Sequence, residues 1–379
     1  MTRPLLVFCL LVLLAPGASG AIINMEADGS GDYQNLLQAA IALADGDTLV
    51  LGAGRFETIN VFIDGYCRRD AVVILMNDNI TVLGQGPEST IIGPASGGSP
   101  ASDADGVSLT CSVEGLTLSG LTIENLDDGV EAYGEIRIED CRFTNCDIGA
   151  DIHPSVGHIQ NCSFDTGRAG MWVVGGGGDS FQVSDCTISG FEYGIASASL
   201  YLTVSHGEIS QCDNAMWAMG GVGESVSFTG VNITGCINGV AAHHMSGPTL
   251  QLQDCSVVVD NHALDLNAES EVLISDSILE SLGGTTILAS HDSEITMHNS
   301  HILAPEGNLR ISLSGYFDVE ELDLSGNFWG GLDVSQIPDF IHDHLDDPAL
   351  SATVVFLPLA DGPVAVDQIK WGQLKAQYR

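Results

Sequence analysis

Apolar and polar residues alternate in short runs along most of this chain, and the runs end at corners rich in Asp, Asn and Gly. Alternation of this kind has the period of a β-strand, whose successive side chains point to opposite faces. Long runs with the 3.6-residue period of a helix are scarce. The pattern therefore predicts an all-β protein made of many short strands.

The alternating runs recur with a period of about 22–24 residues, which is typical of a repeat protein. The aligned runs are Ile136–Cys141, His158–Cys162, Phe181–Cys186, Leu202–Gly207, Val226–Val231, Leu250–Cys255, Val272–Ser277, Ile295–Ser300 and Leu322–Gly326. After each run comes a second corner, and then Gly or Ala opens another strand, as at Gly149–Ile152. Strands this short become stable by pairing with their equivalents in neighbouring coils. We therefore expect one right-handed parallel β-helix.

The two ends of the chain differ from the repeats. Arg3, the apolar run Leu5–Leu14 and the small residues Ala18–Gly20 indicate a signal peptide, so we expect a secreted or periplasmic protein without a retained anchor. Tyr33–Ala44 predicts an amphipathic helix, N-capped by Asp32, that plugs the solenoid. The expected boundaries are a signal peptide at 1–20, an N-terminal cap at 21–47, the β-helix at 48–330, and a C-terminal capping segment and tail at 331–379.

Seven of the ten cysteines recur at two positions of the repeat. Cysteine behaves as a small buried apolar residue, so we expect these side chains to form interior ladders. They are Cys141, Cys162, Cys186 and Cys255 at one position, and Cys146, Cys212 and Cys236 at the other. A disulfide between neighbours such as Cys212 and Cys236 remains an alternative. The absence of a CxxC pair from the sequence argues against zinc.

The composition is strongly acidic, with 11 Lys and Arg against 50 Asp and Glu and a formal net charge of −39 at pH 7. Such a surface repels nucleic acid, which we exclude as a partner, and repels acidic polysaccharides unless cations bridge the two. Solubility, or life in high salt, is the preferred explanation of the charge, and a functional cation-binding surface is the alternative. Calcium is therefore a candidate cofactor, and the sequence supports no other cofactor and no specific metal site.

Segments at both ends carry a family resemblance. Asp28–Tyr33, Gln38–Ile41 and Gly52–Glu57 look like the opening of pectin methylesterases and other pectate-lyase-like β-helices. The repeats resemble those of carbohydrate-binding and sugar-hydrolase β-helices, including NosD-like proteins. Asn327–Gly330, followed by Ile341–Asp343, resembles the closing segment of secreted β-helices of unassigned activity. The resemblance implies the architecture and leaves the activity open.

The motifs of the named enzymes are missing from the sequence. The Gln-Asp-Thr and Asp-Phe-Ile-Phe-Gly segments of pectin methylesterases do not occur, nor does the Arg-Ile-Lys of polygalacturonases. Pectate lyases need a basic residue beside a calcium-binding acid cluster. The regular coils offer only Arg137, Arg142, Arg168 and Arg310, and none fits such a motif.

Counting residues along each strand from its Gly/Ala corner, and aligning successive coils, predicts two columns of solvent-facing side chains on one sheet face. The first column is Glu131, Asp151, Trp172, Ala196, Trp217, Ala241 and Asp265, and the second is Tyr133, His153, Val174, Ala198, Met219, His243 and Asn267. Outward Trp side chains suit sugar rings, and paired carboxylates beside a His suit acid–base chemistry or calcium. We therefore assign Glu131, Asp151 and His153 as candidate catalytic residues. The candidate substrate-binding residues are Trp172, Trp217, Tyr133, His243 and Asp265.

Two functions stay in play. The first is binding of an extracellular polysaccharide or cell-surface glycan, with processing by lyase or glycoside hydrolase chemistry as a further hypothesis. The second is a non-catalytic structural or adhesive solenoid, because outward acids are also what an acidic soluble protein displays. The pairs His298/His301 and His342/His344 are weaker candidates for metal ligands.

Overall fold

The structure is a computed structural model that describes residues 20–64, 67–95, 104–219, 225–243, 249–267, 271–290, 293–315 and 317–360. These residues form 34 β-strands, one α-helix (α1, Leu36–Ala42) and one turn of 3-10 helix (Ile337–Phe340). The strands stack coil on coil into a parallel β-helix of about 11 turns. The predicted all-β solenoid is confirmed. Residues 1–19 of the proposed signal peptide and residues 361–379 of the predicted C-terminal segment lie outside the described residues.

The strands in chain order are β1 (Ile22–Met25), β2 (Thr48–Leu51), β3 (Gly54–Phe56), β4 (Asn60–Asp64), β5 (Cys67–Leu75), β6 (Ile80–Leu83), β7 (Thr90–Ile92), β8 (Asp105–Leu109), β9 (Leu116–Ser119), β10 (Thr122–Glu124), β11 (Asp128–Glu139), β12 (Arg142–Thr144), β13 (Ile148–Gln160), β14 (Ser163–Val174), β15 (Ser180–Ser184), β16 (Thr187–Ala198), β17 (Tyr201–Ser205), β18 (Glu208–Ser210), β19 (Asn214–Met219), β20 (Ser225–Thr229), β21 (Asn232–Thr234), β22 (Asn238–His243), β23 (Thr249–Gln253), β24 (Ser256–Val259), β25 (Leu264–Asn267), β26 (Glu271–Ser275), β27 (Ile278–Ser281), β28 (Ile287–Ser290), β29 (Glu294–His298), β30 (His301–Leu303), β31 (Ile311–Ser314), β32 (Glu321–Asp323), β33 (Ile341–His342) and β34 (Thr353–Val355).

Three parallel sheets run the length of the solenoid. The first sheet contains β1, β2, β6, β9, the second halves of β11 and β13, β15, β17, β20, β23, β26 and β29. The second sheet contains β3, β7, β10, β12, the first halves of β14 and β16, β18, β21, β24, β27 and β30. The third sheet contains β5, β8, the first halves of β11 and β13, the second halves of β14 and β16, β19, β22, β25, β28, β31 and β33. Strand β4 is the exception, because it pairs with β5 in an antiparallel hairpin.

The repeat pattern translates directly into packing. In the first sheet Ile138 pairs with Ile159, and Ile159 pairs with Val183, and all three are buried. At the corner that follows, Asp140, Asn161 and Asp185 adopt positive φ values of 52–54°. Asn and Asp tolerate this left-handed conformation better than other side-chain-bearing residues. The recurring requirement of this corner is therefore the positive φ, which Asp or Asn adopts in some coils and Gly120, His206 or Gly230 in others.

The seven repeated cysteines are buried free thiols, as the ladder interpretation predicted. The backbone N–H of Cys212 lies 3.4 Å from the Cys236 Sγ, and the alternative of a bridge between them is not formed. Burial raises the pKa of the Cys146 thiol to about 12. A disulfide that the sequence did not suggest joins Cys67 to Cys111, outside the regular repeat.

The N-terminal helix is shorter than predicted. It is N-capped by Asn35, whose side chain accepts from the Gln38 N–H, so the assignment of the cap to Asp32 was wrong. Leu36 and Ala39 join the core, whereas Ile41, predicted on the apolar side, is 65% exposed. The parallel stack starts earlier than the predicted first strand, because β1 pairs with β2. In the part of the chain that the structure describes, no helix has both the length and the apolar character needed to cross a membrane.

The segment that begins at Asn327 continues the core past β30. Asn327 is buried, donates to the Met297 and Leu324 carbonyls, and accepts from the Ser300 N–H. Phe328 forms a parallel bridge with His301. The last predicted copy of the repeat is different, because β32 pairs with β34 in a separate two-stranded sheet. The solenoid therefore ends where strand pairing passes from the three long sheets to this separate two-stranded sheet.

Candidate functional site

The predicted columns lie on the outer face of the third sheet, and the observed strand pairing aligns their residues as the sequence predicted. In the first column Glu131 pairs with Asp151, Asp151 with Trp172, Trp172 with Ala196, Ala196 with Trp217, Trp217 with Ala241, and Ala241 with Asp265. The residues between them on each strand, such as Ala150 and Ile152, are buried. Because side chains alternate along a strand, the columns face outward.

At the early end of this face, Glu131 is held by three neighbours. Its Oε1 lies 2.8 Å from the Arg69 guanidinium and accepts from the Tyr133 hydroxyl at 2.8 Å. Its Oε2 accepts from the Ser108 hydroxyl at 3.2 Å. The Glu131 side chain is only 13% exposed. This carboxylate is therefore fixed in place and occupied by donors.

The Tyr133 and His153 rings stack directly on neighbouring coils. Their centroids lie 4.9 Å apart with an interplanar angle of 10°. Burial and the hydrogen bond to Glu131 raise the pKa of Tyr133 to about 12, so this phenol keeps its proton at neutral pH. The Nε2 of His153 lies 3.6 Å from Asp151 Oδ1, which is longer than a direct hydrogen bond. An imidazole, a protonated phenol and a carboxylate thus converge on one patch.

Carboxyl groups in and beside this patch are buried or half-buried. Burial, followed by repulsion from Glu131, raises the pKa of Asp105 to about 7. Burial, followed by repulsion from Asp105, raises the pKa of Asp128 to about 8. Burial also raises the pKa of Asp151, and the neighbouring His153 opposes this shift. A cavity of about 300 Å³ opens beside these groups and is lined by Arg68, Arg69, Asp70, Asp105, Asp127 and Glu131.

The two tryptophans form an aromatic cluster further along the face. They are two strand steps apart, about 10 Å, yet their ring centroids lie 6.4 Å apart, edge to face. The strand between them carries Ala196, which leaves room for the rings to lean toward each other. Tyr193 stacks on Trp217 at 5.1 Å. The half-buried rings form one continuous patch, in which the two Trp rings are closer than the separation of their strands.

The remaining predicted residues form a second polar pair at the late end of the face. His243 Nε2 and Asp265 Oδ2 are 3.8 Å apart, and both side chains are about 30% exposed. Within the described residues, the buried Nε2 of His243 has no hydrogen-bond partner. Along the solenoid, the face therefore presents three features in order. They are a polar patch of Glu131, Tyr133, Asp151 and His153, an aromatic patch of Trp172, Tyr193 and Trp217, and the His243–Asp265 pair.

Three contributors were missed from the sequence. Arg69 comes from the irregular early coils, where no repeat spacing places it beside Glu131. Asp105 lies at the start of β8, before the regular repeats begin. Tyr193 precedes the counted column and reaches it by the length of its side chain. For Asp105 and Tyr193, the available signal was a charged or aromatic residue three positions before the residue aligned with the first column. No such signal was available for Arg69.

The described residues offer no metal centre of the usual kind, since no group of three or more His, Cys, Asp or Glu side chains is arranged to hold an ion. His301 is buried and packs against Phe328, whereas His298 is exposed. Asp343, between His342 and His344, accepts from the Leu345 and Val354 N–H groups. His301 is thus part of the core packing, and Asp343 is engaged by backbone N–H groups. Calcium remains a prediction of the sequence.

Comparisons with known proteins agree with the architecture. Residues 105–250 match the family model described as right-handed β-helix region. The Azotobacter vinelandii mannuronan C-5 epimerase AlgE6 A-module is similar at a TM-score of 0.55 and 14% identity, covering 85% of this chain and 93% of that one. The AlgE4 A-module from the same organism is similar at 0.52 and 13% identity, covering 86% and 94%. XylC, in a complex with xylose, is similar at 0.54 and 8% identity, covering 76% of each chain.

A search of curated protein sequences found no match. At these identities the structural likeness establishes the fold alone. The handedness named by the matched family is the one expected for parallel strands joined by crossovers. This chain is therefore a right-handed parallel β-helix protein.

Proposed function

We propose that the outer face of the third sheet binds an extended polysaccharide and that His153, stacked on Tyr133, transfers a proton to or from the bound sugar. The observation that carries the proposal is the position of this stacked pair, on the two strands that precede the strand of Trp172 on the same face. Aromatic rings bind the apolar faces of sugars, and Trp172, Tyr193 and Trp217 supply such a surface. Two proteins that share the fold are named as mannuronan epimerases, and their named substrate is a polysaccharide.

Proton transfer by His153 fits the chemistry of the patch. An imidazole exchanges protons near neutral pH, and a carboxylate beside it stabilises the charged form. Asp151 has that position, at 3.6 Å. Tyr133 stays protonated and keeps its hydroxyl directed at Glu131, so its ring supports the imidazole face. The sugar would lose or regain a proton at His153 while its neighbours lie on the aromatic patch.

Lyase-type chemistry suits the site better than a retaining hydrolase. A retaining hydrolase needs a free carboxylate nucleophile opposite an acid, and Glu131 with Asp151 was the candidate pair. Glu131 already forms an ion pair with Arg69, accepts hydrogen bonds from Tyr133 and Ser108, and is largely buried. A carboxylate with these three partners is a poor nucleophile, because attack requires it to give up those contacts.

Binding is tested by replacing both Trp172 and Trp217 with Ala and measuring affinity for a panel of acidic and neutral polysaccharides, with and without calcium. We expect at least a tenfold loss of affinity, because each lost ring removes roughly 1 kcal/mol or more of sugar contact. Tyr201→Ala is the matched control, since Tyr201 is an exposed aromatic residue on the first sheet. Wild-type protein that binds no member of the panel would instead support a structural or adhesive solenoid.

Catalysis is tested with His153→Gln on whichever polysaccharide binds, by following reducing ends and unsaturated products. We expect product formation to fall about 100-fold or more, the usual contribution of a general acid or base. His158→Gln is the control, because His158 lies on the same strand but on the first sheet, 2.8 Å from Glu139. Equal rates for His153→Gln and wild type would refute the assigned role and leave binding intact.

A further inference from the structure

The early end of the face is built by a hairpin that does not follow the coil repeat. Strand β4 runs antiparallel to the first part of β5, and β5 then joins the third sheet by pairing with β8 at Ala71–Leu75. Arg69 lies on the hairpin part of β5, two residues before this change of partner. The hairpin therefore brings a cation to the edge of the polar patch.

Arg69 links the hairpin to the patch through three contacts. Its Nε donates to the Leu109 carbonyl at 3.0 Å. Its Nη2 lies 2.8 Å from Glu131 Oε1 and 3.4 Å from the Tyr133 hydroxyl. The side chain is 17% exposed, so water screens these contacts weakly. The guanidinium thus sets the position of the Glu131–Tyr133 pair, and Tyr133 in turn stacks on His153.

The Cys67–Cys111 disulfide fastens the two sides of the Arg69 contact. Cys67 lies two residues before Arg69, and Cys111 lies two residues after Leu109, whose carbonyl accepts from Arg69. The Cys111 N–H also points at the Cys67 Sγ, 3.0 Å away. With the bond intact, the start of β5 cannot separate from the end of β8. The disulfide therefore holds Arg69 where it meets Glu131.

We propose that Arg69 is a positioning residue for the Tyr133–His153 pair and that the Cys67–Cys111 disulfide makes this positioning sensitive to reduction. The expected change in activity rests on the proposed function. The structural part, in which Arg69 and the disulfide position Tyr133 and His153, rests on the contacts alone. A dithiol supplies two electrons and two protons, the S–S bond breaks into two thiols, and the dithiol closes to its own cyclic disulfide. The hairpin is then free to leave the patch.

The structural part is tested by NMR of the whole protein, because stacking on Tyr133 shifts the ring protons of His153 upfield. Comparison with His153→Gln identifies the signal. We expect Arg69→Met to remove most of the upfield shift, as Tyr133→Leu does, and Arg69→Lys to retain part of it. Arg137→Met is the control, since Arg137 lies on the same strand as Tyr133 but pairs with Glu135 on the first sheet. An unchanged His153 signal in Arg69→Met would overturn the positioning role.

The redox part is tested by adding a dithiol to the wild type and, separately, by the Cys67→Ser/Cys111→Ser variant. The other seven cysteines of the described residues are already free thiols, so the dithiol has one known target there. We expect both treatments to weaken the His153 shift while the circular dichroism of the solenoid stays unchanged. A full shift after complete reduction would overturn the redox part.

A reaction rate distinguishes this inference from the proposed function. If a substrate is found, Arg69→Met should lower kcat about 100-fold with little change in KM, the effect expected when a reacting group is misplaced by about 1 Å. If no polysaccharide is processed while the His153 shift still depends on Arg69 and the disulfide, the proposed catalysis fails and the positioning stands. If activity is found and the shift does not depend on Arg69, the positioning fails and the catalysis stands.

Discussion

At the scale of single residues, the polar patch carries more buried acid than nearby positive charge can neutralise. Asp105 and Asp128 respond by holding their protons, with pKa values raised to about 7 and about 8, chiefly by burial. Glu131, by contrast, has Arg69 at 2.8 Å. The pKa values of Asp105 and Asp128 in the folded protein therefore differ from those in the unfolded chain.

This difference predicts that the protein loses stability as pH rises from about 5 to 8. In the unfolded chain these Asp groups release their protons near pH 4, so between that pH and the raised values the folded state binds more protons. The stability gained from the bound protons is complete at low pH and is lost as pH rises through the folded pKa values. Asp128→Asn should reduce the slope by at most about 1.4 kcal/mol per pH unit.

Urea unfolding at pH 5, 6, 7 and 8 measures that slope. The control is Asp28→Asn, because hydrogen bonds from Ser30 lower the pKa of the exposed Asp28, which therefore titrates below this range. An Asp128→Asn variant with the wild-type slope would contradict the raised pKa.

At the scale of elements, short strands depend on what closes the stack. The segment that begins at Asn327 gives the last coils their partners. The Asn327 side chain forms hydrogen bonds with backbone groups of residues 297, 300 and 324. The buried Trp329 carbonyl accepts from Arg310. These buried backbone groups thereby gain partners, as most buried polar groups do, whereas among the described residues the Arg310 Nε and Trp329 Nε1 have none. This accounts physically for an Asn followed by Phe and Trp at this point.

We expect Asn327→Ala to lower the free energy of unfolding by roughly 2–4 kcal/mol, because it leaves several buried backbone groups without a partner. Urea denaturation measures the change. Gln251→Ala should be nearly neutral, since Gln251 is an exposed polar residue in the middle of the first sheet. Similar small losses for both variants would show that Asn327 is not required to close the stack.

At the scale of the whole molecule, a net charge of −39 is distributed over a solenoid with few cations. Like charges repel one another most when salt is low, because the Debye screening length is then about 30 Å and charges interact over that distance. The core opposes this repulsion through apolar columns that run continuously from coil to coil. The acidic surface is therefore expected to make the stability depend on ionic strength.

We expect the Tm to rise between about 0.01 M and 1 M NaCl by at least about 2–4 °C, which corresponds to roughly 1 kcal/mol for a domain of this kind. Differential scanning calorimetry at pH 7 measures it. The same salt series near the sequence pI of about 4.1, where the net charge is small, is the control and should show a smaller rise. Equal salt effects at the two pH values would exclude charge repulsion as the cause.

The sequence by itself determined the solenoid, the buried cysteine ladders and the outward columns from Glu131 to Asp265, because a period-two strand within a repeat of nearly constant length has one consistent register. Only the tertiary structure decided what lies around those columns. Arg69, the Cys67–Cys111 bridge and Asp105 come from early coils that do not keep the repeat. The Trp172–Trp217 contact depends on side-chain tilt, which strand spacing does not specify. Strand pairing is encoded locally by alternation, whereas charge pairing and ring contacts depend on three-dimensional neighbours that no local pattern identifies.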